Sequence, residues 1–288
     1  MDFKPLKYNT ILLYIGVALA PAIVTGEPLP TSKLYQPSQY TLEKLALKAH
    51  GFDGNSDSIK TLNCGCKNLN ASLIDARTCG IATTERYGMK IDQIVWQAAI
   101  PSKEIAMRLP DASNCWSDTS CLSPDSGNPV MGHKCCLQKS KTYSDIFSDL
   151  NILHPQAESI VNYRNVRLEG VVKKPTHQFG ICRFKADSTN YETSPLVQGI
   201  SARARLYLNR FYGLQYTKAE ISNFQLISDK NPPLYNEKKA SLSVKAIQGF
   251  GNPYVIDNWH TPERIVDKNY QAKQLLKAIE NFKDLPIP

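Results

Sequence analysis

Eight cysteines between residues 64 and 182 constrain this chain more than any other feature of its sequence. They are Cys64, Cys66, Cys79, Cys115, Cys121, Cys135, Cys136 and Cys182. An even number of cysteines in an exported chain predicts a disulfide framework, although sequence alone leaves on the order of 100 pairings open. The short loop from Cys115 to Cys121 predicts a bridge across it. Soft-metal binding is the alternative, but no paired C-x-x-C or neighbouring histidine set completes a tetrahedral site.

The amino-terminal residues are typical of a secretory signal peptide. Two lysines precede an apolar run over residues 11–20, and Val24-Thr25-Gly26 then places small or short residues at a cleavage position. The run is shorter than the ~20 residues of a membrane-spanning helix, and Pro21 interrupts it. We therefore expect residues 1–26 to be removed and the mature chain to be secreted or periplasmic, without a membrane span. An uncleaved anchor is the alternative.

The rest of the chain divides into three segments. Residues 27–40 are rich in Pro, Ser and Thr and predict a flexible lead-in, whereas residues 41–258 mix helical and strand patterns without an internal repeat. Residues 259–288 carry an amphipathic pattern that predicts a helix at the carboxyl terminus. These patterns indicate one α+β domain with a helical extension.

Four helices and one strand are predicted within the central segment. Apolar residues at three- and four-residue steps predict helices that begin at Thr41 and that cover residues 143–153, 199–212 and 217–227. Residues 91–96 predict a strand, and residues 110–140 predict a loop that holds four of the cysteines.

The charge balance favours an anionic partner. The chain has 34 Lys and Arg against 26 Asp and Glu, a formal net charge of +8 at pH 7. Such an excess suits nucleic acid or another anionic surface. The candidate phosphate-contacting residues are Arg164, Arg167, Arg203 and Arg210. The alternative for these arginines is an ordinary solvated helix face.

A series of short motifs runs in order through most of the central segment. It comprises Cys64-Gly65-Cys66, Asp75-x-x-x-Cys79-Gly80, Val95-Trp96-x-x-x-Ile100-Pro101, Cys115-Trp116, Ser148-Asp149-Leu150-x-x-Leu153-x-Pro155, Phe179-Gly180-x-Cys182, Gly199-x-x-Ala202-Arg203 and Gly251-Asn252-Pro253-Tyr254-Val255. The series resembles the bacterial endonuclease I family of secreted and periplasmic nucleases. The resemblance implies a disulfide-stapled His-Me finger (ββα-metal) domain, in which Cys135 and Cys136 are additions to the family pattern.

The resemblance also implies where the catalytic groups should lie. The family uses a histidine as general base and holds a divalent metal ion with a glutamate and an asparagine. The register of the 95–101 motif puts the glutamate position at Gln97 and the histidine position at Ala98. The register of the 148–155 motif puts the asparagine position at Ile152. The loop after Cys115 also lacks the family's phosphate-contacting arginine. Every chemical role is vacant.

Two neighbouring residues are candidate substitutes, Asn151 and His154. One residue along a helix rotates a side chain by about 100°, so we expect Asn151 to point away from the former metal position. The leading hypothesis is a monomeric, catalytically inactive pseudo-nuclease that binds nucleic acid through a basic surface and needs no cofactor. One alternative is an active endonuclease with relocated residues and Mg²⁺. The other is a secreted effector or interaction factor with a protein partner.

Overall fold

A computed structural model describes residues 39–51, 59–68, 73–79, 93–179 and 182–256 of the chain. The predicted signal peptide and the predicted carboxyl-terminal helix lie outside these residues. Among the described helices, none has the length and apolar character needed to cross a bilayer. The architecture is mixed helix and sheet, which confirms the α+β prediction.

The described part of the chain contains nine α-helices and two short 3₁₀ turns. The α-helices are α1 (Gln39–Ala49), α2 (Ser102–Arg108), α3 (His133–Lys139), α4 (Lys141–Ile146), α5 (Glu158–Arg164), α6 (Pro195–Tyr212), α7 (Lys218–Lys230), α8 (Tyr235–Gln248) and α9 (Pro253–Ile256). The 3₁₀ turns cover Ala76–Cys79 and Cys115–Ser117. The longest helix, α6, packs against α4, α7 and α9.

The described strands form three small sheets. The strands are β1 (Lys67–Asn68), β2 (Ile74–Asp75), β3 (Ile94–Ala98), β4 (Leu153–Ala157), β5 (Leu168–Glu169), β6 (His177–Phe179), β7 (Cys182–Ala186) and β8 (Asn190–Glu192). β1 pairs with β2, β3 pairs with β4, and the remaining strands form one sheet in the order β5-β8-β7-β6. The antiparallel β3–β4 pair is followed directly by α5, and the 95–101 and 148–155 motifs overlap its two strands.

The helix predictions are partly confirmed. The predicted helix over 199–212 is confirmed by α6, which starts earlier because Pro195 at its first turn has a preset φ. The helix predicted over 217–227 is confirmed by α7, where Thr217 and Glu220 form a capping box. The strand predicted over 91–96 overlaps β3. The lead-in predicted over 27–40 ends inside α1.

Two predictions in the middle of the chain are wrong. The helix predicted over 143–153 ends at Ile146. The Asp149 carboxylate accepts a hydrogen bond from the backbone N–H of Asn151, and this local contact favours a turn that leads into β4. The loop predicted over 110–140 contains α3, a helix that brings Cys135 and Cys136 into the core.

The main core lies between the β3–β4 pair, α2, α4 and α6. Its fully buried members include Ile100, Ile105, Tyr143 and Leu208. A second cluster packs the four-stranded sheet against α5, and a third packs α1 on Trp96. Burial of this apolar surface, at about 25 cal/mol per Å², is the main favourable contribution to folding.

All eight cysteines form disulfides, as predicted. The predicted bridge between Cys115 and Cys121 is wrong, because each of these cysteines pairs with a residue of α3. The pairs are Cys64–Cys182, Cys66–Cys79, Cys115–Cys136 and Cys121–Cys135. Helix α3 presents its two adjacent cysteines to the two ends of the 115–121 loop, so the bridges are nested instead of closing the loop on itself. Each bridge restricts the unfolded chain and stabilises the fold by about 2–4 kcal/mol.

Two arginines of α6 are buried and held by carboxylates from other elements. Arg203 donates through Nε and Nη2 to the two oxygens of Glu237 on α8, at 2.8 and 2.7 Å. Arg205 donates in the same bidentate way to Glu104 on α2, at 2.7 Å for both bonds, and reaches Glu169 on β5 at 2.6 Å. Charge-assisted, bidentate bonds of this kind are strong and directional.

Gly199 allows the Arg203 site to form. A Cβ atom at this position would lie 2.7 Å from the backbone oxygen of Asn231, which is a clash. Because glycine has no side chain, the end of α7 approaches α6 closely and the Asn231 carbonyl accepts a bond from Arg203 at 2.7 Å. This contact explains the Gly-x-x-Ala-Arg spacing of the sequence.

The nested pairing can be tested directly. Digestion without reductant, followed by mass spectrometry, should yield linked peptides for Cys115–Cys136 and Cys121–Cys135. Because the two partners on α3 are adjacent, a cut between residues 135 and 136 is needed to separate the pairs. A peptide that links Cys115 to Cys121 would contradict the structure.

Disrupting the buried ion pair between Arg203 on α6 and Glu237 on α8 should lower the free energy of unfolding far more than disrupting an exposed pair. Glu237→Gln leaves the Arg203 guanidinium buried without a counter-charge, and we expect it to lower the free energy of unfolding by about 3 kcal/mol. Lys141→Ala removes an exposed ion pair with Asp145 and should cost less than about 0.5 kcal/mol. Urea denaturation of both variants measures the difference, and equal losses would refute a structural role for the buried pair.

Candidate functional site

The positions of the expected base and metal ligand are closed into the main core. Ala98 ends β3 and Ile152 lies just before β4, and both side chains have 0% of their surface exposed. The chain holds the two close together, because the Ala99 N–H donates to the Ile152 carbonyl at 3.0 Å. Their surroundings in this core include Tyr143 and Tyr207. Neither side chain can exchange a proton or bind a cation.

Gln97, at the expected metal-binding glutamate position, faces β4. It pairs across the ladder with His154. Its Oε1 atom is buried and has no hydrogen-bond partner among the described residues. Mg²⁺ prefers several oxygen ligands that include carboxylates. A neutral amide next to alanine and isoleucine does not provide that set, so these positions do not fit a divalent metal ion.

Asn151, a candidate substitute, is tied to α6. Its Nδ2 donates to the Tyr207 hydroxyl at 3.2 Å, and its Oδ1 is buried without a described partner. Asn151 lies in the turn before β4 and not on a helix, so the expected rotation of about 100° along a helix does not apply. Its hydrogen bond to Tyr207 fixes its direction instead.

Asp149 is the carboxylate closest in sequence to these positions, and its oxygens are fully used. They accept bonds from the hydroxyls of Tyr207 and Tyr212, from Gln248 Nε2 and from the Asn151 N–H. Burial, together with the neighbouring Asp149 charge, raises the pKa of both tyrosines well above the usual value. The tyrosines therefore remain protonated donors, and Asp149 serves as a structural acceptor.

His154, the other candidate substitute, lies beside a second histidine. The ring centres of His50 and His154 are 5.5 Å apart, and the His50 Nε2 lies 3.0 Å from the Leu153 carbonyl oxygen. Burial lowers the pKa of His50 to about 4. Burial and the neighbouring His50 hold the pKa of His154 well below its usual value. A base with so low a pKa is poorly matched to proton abstraction near pH 7.

Two of the arginines predicted to contact phosphate are buried, and the prediction is wrong for them. Arg164 is 1% exposed and donates to the Ala99 carbonyl at 3.1 Å. Burial lowers the pKa of this guanidinium to about 10. Arg203 is 0% exposed and bound to Glu237. Periodicity could not identify these burials, because the partners lie far away in sequence.

The other two predicted arginines lie nearer the surface. Arg167 is half-buried and donates to the carbonyls of Asp187 and Tyr163, at 2.6 and 2.8 Å. Arg210 is exposed, and its guanidinium carbon lies 5.7 Å from the centre of the Phe211 ring. Of the four, Arg210 is the one whose exposure suits a phosphate contact.

Further cations lie on β7 and on α8. Arg183 is exposed, and Lys185 is half-buried and paired with Glu192 at 3.1 Å; all three residues line an open groove of about 310 Å³. Three exposed lysines lie on α8, a helix that was not predicted: Lys238, Lys239 and Lys245. The signal for that helix was present in the proline pair before it and in the glycine after it.

The described residues also bring Asp118 close to two sulfur atoms. The ligand atoms of Asp118, Cys121 and Cys135 lie within 4.8 Å of one another. The two sulfurs are joined in one disulfide, so neither is a thiolate that could bind a metal. The other cysteines are also joined in disulfides, so soft-metal binding, the alternative to a disulfide framework, lacks thiolate ligands.

The histidine pair predicts a loss of stability in acid. The unfolded histidines take up protons below about pH 6.5 while the folded ones resist, so stability is complete above that pH and falls towards pH 4. At pH 5 the penalty for His50 alone is about 2 kcal/mol. We expect His50→Gln to flatten the pH dependence of the free energy of unfolding, measured in urea.

Leu45→Ala is the matched control for this measurement. It removes a buried side chain from the cluster that contains Trp96, whose ring lies beside His50, and it removes no titratable group. It should lower stability equally at pH 7 and at pH 5. If His50→Gln keeps the full pH dependence of the wild type, the burial of this histidine is not its cause.

No protein-family model matches the chain, and a search of curated proteins finds no relative. The likeness to endonuclease I therefore rests on the motifs of the sequence.

Proposed function

We propose that this protein is an exported, endonuclease I-like pseudo-nuclease that binds nucleic acid without cleaving it. The observation that carries the proposal is the complete burial of Ala98 and Ile152 in the main core. Hydrolysis of a phosphodiester needs a base, a bound cation and access for water and substrate. The positions that would supply them contain apolar side chains packed against one another.

The arrangement of β3, β4 and α5 supports the proposed His-Me finger fold. Two antiparallel strands followed by a helix are the succession that such a domain requires, and the two motifs lie on the paired strands. Trp96 lies opposite Pro155, so the landmarks that define the two registers meet in the ladder. This pairing supports the transfer of the family positions to Gln97, Ala98 and Ile152.

The neighbouring polar groups support an inactive site over a relocated one. Asn151 donates to Tyr207, and Asp149 is filled by four donors. His154 has a depressed pKa because it is buried beside His50. Each candidate replacement therefore has a structural partner or an unsuitable pKa, and relocated chemistry would have to break these contacts.

Charge and disulfides support the remaining parts of the proposal. Four disulfides fit an oxidising compartment outside the cytosol. The net charge of +8 gives the chain a long-range attraction for polyanions. Because the buried arginines are neutralised internally or sequestered, binding falls to the exposed cations.

A plasmid-nicking assay tests the absence of catalysis. With Mg²⁺ or Mn²⁺ present, we expect no conversion of supercoiled plasmid above the level of buffer, because base and metal ligands are missing. Asn151→Ala and His154→Ala should give the same result as the wild type. Metal-dependent nicking that either substitution abolishes would show that catalysis has been relocated and would refute the proposal.

The binding half of the proposal needs its own measurement in the same preparation. Fluorescence anisotropy with labelled DNA and RNA should show affinity that falls steeply with salt concentration. A chain that binds neither at about 50 mM salt is not a nucleic-acid-binding protein, and a protein partner would then be the better explanation.

A further inference from the structure

The solvent-facing side of α8 carries positive charges only, together with an exposed aromatic ring. Tyr235 is 77% exposed and Leu242 is 55% exposed. Lys238, Lys239 and Lys245 are exposed as well. With 3.6 residues per turn, these five positions fall on one side of the helix, along a length of about 15 Å. We call this set the α8 face.

The α8 face has a net positive charge because the acidic residue of the helix is used in the buried ion pair with Arg203 on α6. Glu237 is the one acidic residue of α8, and it points inward to Arg203 with a side chain that is 10% exposed. The outer side of the helix therefore has three positive charges and no carboxylate of its own. Within the described part of the chain, the three lysines form no ion pair or hydrogen bond, so their ammonium groups are available to a ligand.

We infer that the α8 face binds a single strand of nucleic acid, which rests on the proposed function and locates its binding surface. The lysines contact successive phosphates, and the Tyr235 ring stacks on an unpaired base. Binding platforms for single strands combine these two elements, a basic track and an exposed aromatic ring. The contacts are to backbone and base faces, so the binding is independent of sequence.

The composition of the face favours a polyanionic strand over the other occupants. A membrane-binding helix presents a broad apolar side, whereas Tyr235 and Leu242 are flanked by lysines. A second copy of the same face would bring six like charges together. A phosphate backbone, in contrast, complements the lysines along the whole length of the helix.

Salt-dependent anisotropy with a labelled, mixed-sequence single strand tests the inference. Each phosphate contact contributes about −0.7 to the slope of log K against log salt for single strands. Replacing all three lysines of the α8 face, as K238A, K239A and K245A together, should therefore reduce the slope by about 2. The triple variant K134A, K173A and K174A removes the same charge from exposed sites elsewhere and should leave most of the slope intact.

The contribution of Tyr235 to binding can be measured separately from that of the lysines. Tyr235→Ala should weaken binding by at least about 5-fold at constant salt while the salt slope stays unchanged, because stacking involves no counterion release. Tyr235→Phe keeps the ring and should restore the affinity. Since these side chains are exposed, all variants should retain the wild-type thermal midpoint, which checks that each is folded.

The failures of the two proposals can be told apart. If the wild type binds no single strand, the proposed function fails and the inference with it. If the wild type binds and the α8 variants behave like the control triple variant, the inference alone is overturned. Binding of the same variants to vesicles that contain phosphatidylserine is the final measurement. If the α8 lysines are needed for vesicles and not for the single strand, the face is a membrane contact and the inference is overturned.

Discussion

The bidentate ion pairs of Arg203 and Arg205 hold this structure in its arrangement. Through these two side chains, α6 is joined to α2, to β5 and to α8. Burial opposes ionisation of Glu104, but the Arg205 guanidinium holds the pKa of that carboxyl below its usual value, so the pair stays charged. A buried pair of this kind contributes little net stability, yet removing one partner is costly. Its main effect is to specify which elements pack around α6.

This use of arginine shapes the surface as well as the interior. Because Glu237 is committed to Arg203, all the charged side chains that α8 exposes to solvent are positive. The polar groups around Ala98 and Ile152 are similarly committed, with Asp149 accepting hydrogen bonds from two tyrosines of α6. Ala98 and Ile152 themselves are apolar and fully buried in the main core. The described residues thus include a closed apolar core beside β3–β4 and an exposed basic face on α8.

Part of this arrangement could be predicted from local sequence signals. The helices over 199–212 and 217–227 and the disulfide framework depend on residues close to one another or on compartment, and these predictions are confirmed. The pairing of Cys115 with Cys136 and the burial of Arg203 depend on contacts between distant segments. A guanidinium on an amphipathic helix looks the same in sequence whether it meets water or a carboxylate from another helix. The α8 face was missed for the same reason, since its charge depends on where Glu237 points.

We propose that this chain holds a nucleic acid strand on α8 and does not cut it. The most direct test is photocrosslinking of the wild-type protein to a single strand that contains 4-thiouridine, with Mg²⁺ present, followed by mass spectrometry of both components. We expect crosslinks to the peptide that contains Tyr235, on an oligonucleotide of its original length. Crosslinks to the 95–101 or 148–155 segments, on shortened oligonucleotides, would contradict it.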